Sequence, residues 1–166
     1  MSTFSSTMDT PIGPFTIVTN VEGSVLAAGW TRTTDELLPL VHASLRAGPR
    51  PRRDLGPATQ AVRAYLKGDL DAVSAVAVRQ QSDGAFLSAA WEVLRKVEPG
   101  GPITYAAFAA RTGRPSATRA AAQACARNAA ALFVPCHRII RSDGSLGGFR
   151  WGLDVKRWLL AHEAAV

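Results

Sequence analysis

The chain has 166 residues, of which 47% are hydrophobic, a composition that suits one medium or two small globular domains with a true core. No apolar run approaches the roughly 20 residues that a membrane-spanning helix needs. Residues 1–10 also lack the charged-then-apolar order of a secretion signal. The sequence therefore predicts a cytoplasmic protein.

The formal net charge of +6 is confined to the second half of the chain. Residues 1–83 contain 8 Lys/Arg and 8 Asp/Glu, whereas residues 84–166 contain 11 basic and 5 acidic residues. A basic half-chain attracts polyanions and favours a nucleic-acid partner, although solvated arginines alone produce the same sum. Charge by itself supports the two interpretations about equally.

Cysteine and histidine are scarce in this chain. The only cysteines are Cys125 and Cys136, and in a reducing compartment both are expected to be free thiols. The three histidines are scattered and show none of the paired spacings of zinc ligands. We therefore predict no metal site and expect one of the thiols to be reactive.

The first half predicts a small α+β unit that ends near residue 80 and carries no visible catalytic pattern. Its predicted elements follow from turn residues, caps and apolar periodicity. They are, in chain order, a hairpin over 11–30 with its turn at 20–23, a helical pattern capped by Thr34 and interrupted near Pro39, a proline-rich connector over 48–57, a helix over 58–68 and a strand over 72–79.

The second half begins with three predicted helices. Residues 84–97 place large apolar side chains on one face at helical spacing, which is typical of a core helix. Two shorter helices follow, with Thr104 and Ser116 as their N-caps and Gly113 as the stop between them. This order suits a helix-turn-helix, although short helical pairs also occur in proteins that never meet DNA.

The last of these helices contains little besides alanine and arginine. Its small side chains favour close approach of the backbone to another surface such as a groove, or simply reflect the high helix propensity of alanine. They are Ala120, Ala121, Ala122, Ala124 and Ala126. Further along, residues 138–152 predict a hairpin-like wing, and residues 153–165 a final helix with Leu153, Trp158 and Leu159 inward.

The segment LFVPCHRII, residues 132–140, places a thiol, an imidazole and a guanidinium inside an apolar run. Residues 132–134 predict a buried strand, which Pro135 ends before Cys136. A neighbouring imidazole or cation lowers the pKa of a cysteine and supplies the nucleophilic thiolate. Adjacent side chains of an extended chain point in opposite directions, so His137 need not bond the thiol directly. This pattern favours a reactive thiol over a structural one.

Together these motifs resemble the O6-alkylguanine-DNA alkyltransferase family. The resemblance depends on the spacing of Tyr105, Arg119, Asn128, the PCHR segment and the LLAHE segment, and it covers residues 84–163 well and the first half weakly. It implies an α+β fold in which a ribonuclease H-like domain over 1–80 precedes a winged helix-turn-helix-like domain over 84–166. It also implies irreversible transfer of an alkyl group from O6-alkylguanine, and from O4-alkylthymine, to the protein.

The resemblance assigns a role to each catalytic residue. Cys136 accepts the alkyl group in an in-line displacement, while His137 removes the thiol proton through a water and Glu163 orients the histidine. Tyr105 gives the departing guanine a proton or a hydrogen bond, and Asn128 joins the second helix to the cysteine loop by hydrogen bonds. No cofactor is required, and each molecule acts once.

The resemblance further implies a monomer that binds duplex DNA through the minor groove and flips the damaged nucleotide out of the stack. Arg119 occupies the vacated space. The other implied DNA contacts are Tyr105, Ser116, Thr118, Ala120 and Gln123, and the implied pocket residues are Val134, Pro135, Ile139, Phe149 and Arg150. Some members carry tyrosine and serine where this chain has Phe149 and Arg150, so the pocket is expected to be narrower.

Two other functions remain open at this stage. A DNA-binding regulator would use the basic helices without chemistry at Cys136. A thiol hydrolase would use Cys136 and His137 on an acyl substrate and would turn over without DNA. Neither alternative accounts for Tyr105, Arg119 and Asn128 together.

Overall fold

The computed structural model describes residues 1–166, which form two compact units. The first unit contains residues 1–81 and 129–133, and the second contains 82–128 and 134–166. Residues 129–133, which the sequence placed with the second half, thus belong to the first unit. None of the helices has the length and apolar content required to span a membrane. The predicted α+β class is confirmed.

The first unit is built on a four-stranded sheet. Its strands are β1 (Thr3–Thr10), β2 (Gly13–Asn20), β3 (Val25–Gly29) and the two-residue β4 (Arg50–Pro51), in the order β3-β2-β1-β4. The β2–β3 hairpin and its turn confirm the pattern over residues 11–30. Because β2 and β3 are almost wholly buried, they contribute the apolar centre of this unit.

Apolar periodicity did not predict strand β1, because its buried positions are hydroxyl residues. Thr3 and Ser6 are 1% and 4% exposed, and their hydroxyls donate to the carbonyls of Ala47 and Arg53 at 3.2 and 3.0 Å. These bonds satisfy polar groups that burial would otherwise penalise. The sequence of β1 therefore lacks the alternation of apolar and polar residues that is typical of a strand. The strand nevertheless pairs with β2 along its whole length.

The predicted helix that begins near Thr34 is wrong. The chain forms three separate 3₁₀ turns there, and the cap of the first is Thr33, whose hydroxyl accepts from Asp35 N–H. Pro39 lies in the second turn and prevents a continuous helix. Helix α1 (Pro57–Leu66) confirms the next prediction.

The strand expected over 72–79 is also wrong. Residues 72–75 form a 3₁₀ turn, and only Val78 makes a bridge, to Val25. Val73 and Val76 are both buried, at a spacing of three residues. The alternating Ala and Val residues therefore serve a helical turn rather than a strand.

The strand expected over residues 132–134 is not formed. Pairing instead occurs at Ala130, which lies beside Ala28, and Leu132 then takes a positive φ of 73°. This conformation is rare for a bulky residue and turns the chain immediately before the cysteine segment. Leu132 and Phe133 are each 1% exposed, so the apolar run is buried as a turn.

The second unit contains four helices and one short parallel strand pair. Helix α2 (Ala85–Arg95), strand β5 (Ile103–Thr104), helix α3 (Tyr105–Arg111), helix α4 (Thr118–Ala126), strand β6 (Ile139–Ile140) and helix α5 (Leu153–Ala164) follow in chain order. All four helices were predicted. The turn expected at residues 142–144 forms, because Arg141 N–H donates to the Ser145 carbonyl and Gly144 N–H to the Arg141 carbonyl. No paired strands extend from this turn, since β6 pairs only with β5 and the rest of residues 141–152 is an irregular loop.

The caps and faces of these helices differ from prediction in two places, the cap of α4 and the exposure of Leu153. The Thr104 hydroxyl accepts from Ala107 N–H at 3.0 Å, as predicted, but the N-cap of α4 is Ala117 rather than Ser116. Ala121 and Ala124 are fully buried, and the Ala124 carbonyl accepts from Trp91 Nε1–H, so part of the alanine-rich surface packs inside its own unit. Leu153, expected to point inward, is 45% exposed.

Candidate active site

The cysteine segment forms a buried 3₁₀ turn. Cys136, His137 and Arg138 make up this turn directly after Pro135, and they are 8%, 0% and 5% exposed. Cys136 N–H donates to the Val134 carbonyl at 2.8 Å. Because the chain forms a turn here rather than an extended strand, the side chains of Cys136 and His137 do not have to point in opposite directions.

The two residues after Cys136 form a buried charged cluster with a residue of helix α5. The cluster consists of His137, Arg138 and Glu163. His137 Nε2 lies 2.6 Å from Glu163 Oε2. Arg138 donates to both carboxylate oxygens, from Nε at 2.9 Å and from Nη2 at 3.0 Å, and also donates from Nη1 to the Val97 carbonyl. The helix α5 carboxylate is thus fixed by both residues that follow the cysteine.

The pKa shifts within the cluster indicate which of its groups carry protons. Burial raises the pKa of Glu163, but hydrogen bonds and charges from His137 and Arg138 outweigh burial and hold this pKa well below its usual range. Burial lowers the pKa of His137 despite the opposing carboxylate. A carboxylate only accepts, so the neutral imidazole carries its hydrogen on Nε2, and its lone pair is on Nδ1.

That lone pair has no partner within the protein. His137 Nδ1 is buried and makes no hydrogen bond within the protein. An unpartnered buried nitrogen is costly unless a water or a substrate group satisfies it. The imidazole can therefore act as a general base toward a proton carried by a water molecule.

The Cys136 thiol has a raised pKa because it is buried, with weaker opposing effects from a hydrogen bond to the Asn128 side chain and from the charge of Lys156. The Asn128 amide also donates from Nδ2 to the Val134 carbonyl at 2.8 Å. Asn128 thereby ties the end of α4 to the cysteine turn. The thiol is protonated at neutral pH and needs a base to become a nucleophile.

Cys136 opens onto a cavity of about 990 Å³. Of the residues predicted for catalysis or substrate contact, those that line this cavity are Tyr105, Thr118, Arg119, Asn128, Cys136, Phe149 and Arg150. Those outside its lining are His137, Glu163, Ser116, Ala120, Gln123, Val134, Pro135 and Ile139. Val134 and Ile139 are almost completely buried, and the Val134 carbonyl accepts from Cys136 N–H and from the Asn128 amide.

Tyr105 stands at the wall of the cavity against Gly147. A methyl group built on Gly147 would lie 3.0 Å from the tyrosine Oη, and Gly147 has a φ of +75°. Glycine is therefore required by both the close approach and the backbone. Burial, followed by the nearby cysteine thiolates, raises the pKa of Tyr105 to about 12, so its hydroxyl remains a proton donor.

Two cations support the loop that borders the cavity. Lys156 is fully buried, and its Nζ donates to the carbonyls of Ile139 and Gly148 at 2.7 and 3.2 Å. Arg150 donates from Nη2 to the Ala126 carbonyl at 2.9 Å. Residues 141–152 are thus anchored to β6 on one side and to α4 on the other.

The sequence did not single out Lys156 or the pairing of Arg138. Lys156 lies three and seven residues before the buried Leu159 and Glu163, a helical spacing that places all three on the inner face of α5. That spacing was the available signal. For Arg138 no sequence signal existed, because its partner Glu163 is 25 residues away.

The site therefore contains a buried thiol, a neutral histidine paired with an ionised glutamate, and a protonated tyrosine at the same cavity as the thiol, which are the groups that cysteine activation requires. The family model described as "6-O-methylguanine DNA methyltransferase, DNA binding domain" matches residues 85–165. The methylated-DNA–protein-cysteine methyltransferase of Salmonella typhimurium is 30% identical over 159 residues, which are 93% of this chain and 91% of that protein.

Two further relatives extend the comparison. The bifunctional transcriptional activator/DNA repair enzyme Ada of Escherichia coli is 45% identical over 80 residues, which are 48% of this chain and only 23% of that protein. The crystal structure of the Mycobacterium tuberculosis O6-methylguanine methyltransferase has a TM-score of 0.81 at 28% identity, covering 98% of this chain and 93% of that chain. The chain belongs to the methylated-DNA–protein-cysteine methyltransferase family.

Proposed function

We propose that this protein repairs DNA by transferring the alkyl group of O6-alkylguanine, and of O4-alkylthymine, to Cys136. The observation that carries the proposal is the buried Cys136 turn, which faces a cavity while its neighbours His137 and Arg138 hold Glu163. A soft thiolate is suited to displacement at saturated carbon. The relatives named as methyltransferases that act on methylated DNA agree with this chemistry.

The thiol is activated by proton transfer to His137. Nδ1 takes the proton of a water that in turn receives the proton of Cys136, and the Nε2–H bond to Glu163 stabilises the imidazolium that forms. The thiolate is transiently favoured by the Asn128 hydrogen bond and by the charge of Lys156. The sulfur then forms its bond to carbon as the carbon–oxygen bond to guanine breaks.

The departing guanine requires a proton or a hydrogen bond, because its anion is a poor leaving group. Tyr105 supplies this bond, since its hydroxyl is protonated at neutral pH and Gly147 allows it to lie close to the loop. The product is a thioether that does not readily return its carbon. Each molecule therefore acts once, without a cofactor.

The lesion reaches the cavity by leaving the base stack, at a cost of a few kcal/mol. Arg119 is exposed at the cavity and occupies the space vacated in the duplex while α4 lies in the minor groove. Thr118 and Tyr105 line the same cavity, whereas Ser116, Ala120 and Gln123 are assigned to the DNA surface of α4. Phe149 and Arg150 narrow the pocket and disfavour large alkyl groups.

The two units take different parts in this proposal. The second unit, which is the expected domain over 84–166 without residues 129–133, acts as a winged helix-turn-helix-like domain that binds DNA and accepts the alkyl group. Residues 1–80 form a ribonuclease H-like domain with a supporting role. The protein acts as a monomer.

Intact-mass measurement tests the transfer. After incubation with a duplex that contains one O6-methylguanine, we expect one methyl group per molecule, located on the Cys136 peptide and lost in Cys136→Ala. The absence of an adduct from the native chain would reject the proposal. A DNA-binding regulator predicts full activity of Cys136→Ser, and a thiol hydrolase predicts repeated turnover of acyl substrates without DNA.

Base flipping has its own test in Arg119→Ala. We expect this change to slow repair in duplex DNA at least tenfold more than repair of the free alkylguanine base, because only the duplex reaction includes unstacking. Arg111→Ala is the matched control, since Arg111 is exposed on the neighbouring helix α3 but does not line the cavity. Equal slowing of both reactions by Arg119→Ala would show that the residue is not a flipping device.

A further inference from the structure

Cys125 lines the cavity of the candidate active site, and the proposed transfer does not use its thiol. Helix α4 turns Thr118, Ala122 and Cys125 toward the cavity, while Ala121 and Ala124 face the core of the unit. Cys125 is half-buried and free. Its thiol therefore faces the same space as Cys136.

Several contacts connect the two cysteines. The Cys125 carbonyl accepts from Asn128 N–H at 3.3 Å, and the side chain of Asn128 bonds the sulfur of Cys136. Arg150 donates to the carbonyl of Ala126, the next residue after Cys125, and its charge also favours the Cys136 thiolate. A thiolate at either cysteine raises the pKa of Tyr105. Asn128, Arg150 and Tyr105 therefore each interact with Cys136 and with Cys125 or the residue that follows it.

We propose that Cys125 is a second nucleophile, which closes a covalent bridge to the alkyl group on Cys136 when the lesion is an O6-(2-haloethyl)guanine. This inference rests on the proposed function. The lesion class follows from the chemistry: the transferred group must keep a leaving group on its second carbon. A methyl or ethyl group offers Cys125 nothing to displace.

The bridge forms in two balanced steps. In the first, the Cys136 thiolate forms a carbon–sulfur bond and the carbon–O6 bond of guanine breaks, leaving a 2-haloethyl thioether. In the second, the Cys125 sulfur bonds to the second carbon, halide leaves with the carbon–halogen electron pair, and the Cys125 proton passes to water. The product is an ethylene group that joins the two sulfurs, and no oxidant is consumed.

Cys125 is a weak nucleophile on its own, since burial, followed by a charged Cys136, raises its thiol pKa above the usual range. The first step removes the smaller of these two causes by turning Cys136 into a neutral thioether, while burial remains. That sulfur also assists departure of the halide through a three-membered sulfonium ring, which a neutral thiol can open. Confinement in one cavity adds an effective concentration that water outside cannot match.

The alternative fates of the haloethyl thioether are distinct products. Water gives a 2-hydroxyethyl group on Cys136, and a guanine nitrogen gives a protein–DNA crosslink. A thiol in the cavity intercepts the electrophile before either reaction. Cys125 would thus protect the repaired duplex from its own repair product.

Mass spectrometry distinguishes these products because the chain contains only two cysteines. The native protein and Cys125→Ser are each incubated with a duplex that carries freshly prepared O6-(2-chloroethyl)guanine. Their active fractions are first measured with O6-methylguanine. We expect a chlorine-free ethylene bridge between the Cys125 and Cys136 peptides in the native protein, and hydroxyethyl-Cys136 or a DNA crosslink in Cys125→Ser. Hydroxyethyl-Cys136 with a free Cys125 in the native protein would overturn the inference.

A second arm needs no DNA and separates this inference from the proposed function. Free 1,2-dibromoethane is added to the native protein, Cys125→Ser and Cys136→Ser. A bridge in the native protein alone supports the paired thiols, even if no alkyl group is accepted from DNA. Separate modification of the two cysteines, or no bridge, contradicts the pairing even where methyl transfer from O6-methylguanine succeeds.

Discussion

Each unit buries a group of polar side chains, and the two groups differ in charge and in the number of hydrogen bonds that they make. The hydroxyl row of the first unit, Thr3 and Ser6, makes single neutral bonds to backbone carbonyls. The charged cluster of the second unit, His137, Arg138 and Glu163, makes several bonds among ionised groups. A neutral bond contributes about 1 kcal/mol, whereas an unpaired buried charge costs several. The hydroxyl row adds stability, and the charged cluster fixes a protonation state.

Removing the guanidinium of Arg138 from the charged cluster has the largest expected effect on stability. Arg138→Met keeps the length of the side chain but leaves Glu163 without its two guanidinium bonds. We expect the free energy of unfolding to fall by about 3–5 kcal/mol, measured by urea denaturation. Arg157→Met is the control, because the Arg157–Asp154 pair is largely exposed and contributes at most about 1 kcal/mol. Equal losses would show that the cluster acts like a surface ion pair.

Replacing the carboxylate tests the protonation state that the cluster maintains. The pKa of Glu163 is lower in the folded chain than the roughly 4.3 of the unfolded chain, so its contribution to stability is present above that pH and is lost as the pH falls. Below about pH 4, unfolding free energy should therefore decline more steeply in the native protein than in Glu163→Gln. Parallel declines would mean that the buried carboxyl is not ionised.

The same variant should slow alkyl transfer at neutral pH on the order of 100-fold. A glutamine amide can donate to His137 Nε2, which would shift the imidazole hydrogen to Nδ1 and remove the base. The rate of methyl transfer in single-turnover conditions measures this effect. Full activity of Glu163→Gln would exclude the tautomer assigned to His137.

The loop beside the cavity allows backbone strain to be separated from a side-chain clash. Gly147→Ala and Gly144→Ala both place a side chain at positive φ, which costs about 1 kcal/mol, but only the methyl group at 147 meets Tyr105. We expect similar losses of stability and a transfer rate about tenfold lower in Gly147→Ala alone. Equal rates in the two variants would mean that Tyr105 does not need its present position.

Apart from the failed helix near Thr34, the sequence predicted the helices because they carry local signals such as apolar spacing, caps and alanine richness. Helix α2 follows the spacing of its large residues, and the Thr104 cap of α3 bonds as expected. Strand β1 was missed because its buried hydroxyls depend on Ala47 and Arg53, about 45 residues away. The turn at Leu132 was missed for a related reason, since its positive φ depends on surrounding contacts that no local pattern records.

The candidate site shows the same division between local and distant information. The motif identified Cys136 and His137, and the resemblance added Glu163 and Tyr105. The Arg138–Glu163 pair and the buried Lys156 required the folded chain, because both join residues more than 15 positions apart. A sequence pattern can name the groups that react. The groups that hold them become visible only when distant segments meet.

The hydroxyl row gives the smallest expected effect. Ser6→Ala removes one bond to the Arg53 carbonyl, and we expect unfolding free energy to fall by about 1 kcal/mol with no change in alkyl transfer. Ser74→Ala is the matched control, because the Ser74 hydroxyl also bonds a carbonyl, that of Asp71, but at an exposed position. Water replaces that bond, so the loss there should stay below about 0.5 kcal/mol. A slower transfer in Ser6→Ala would contradict the contrast between the two regions, because the hydroxyl row would then support the reaction as well as the sheet.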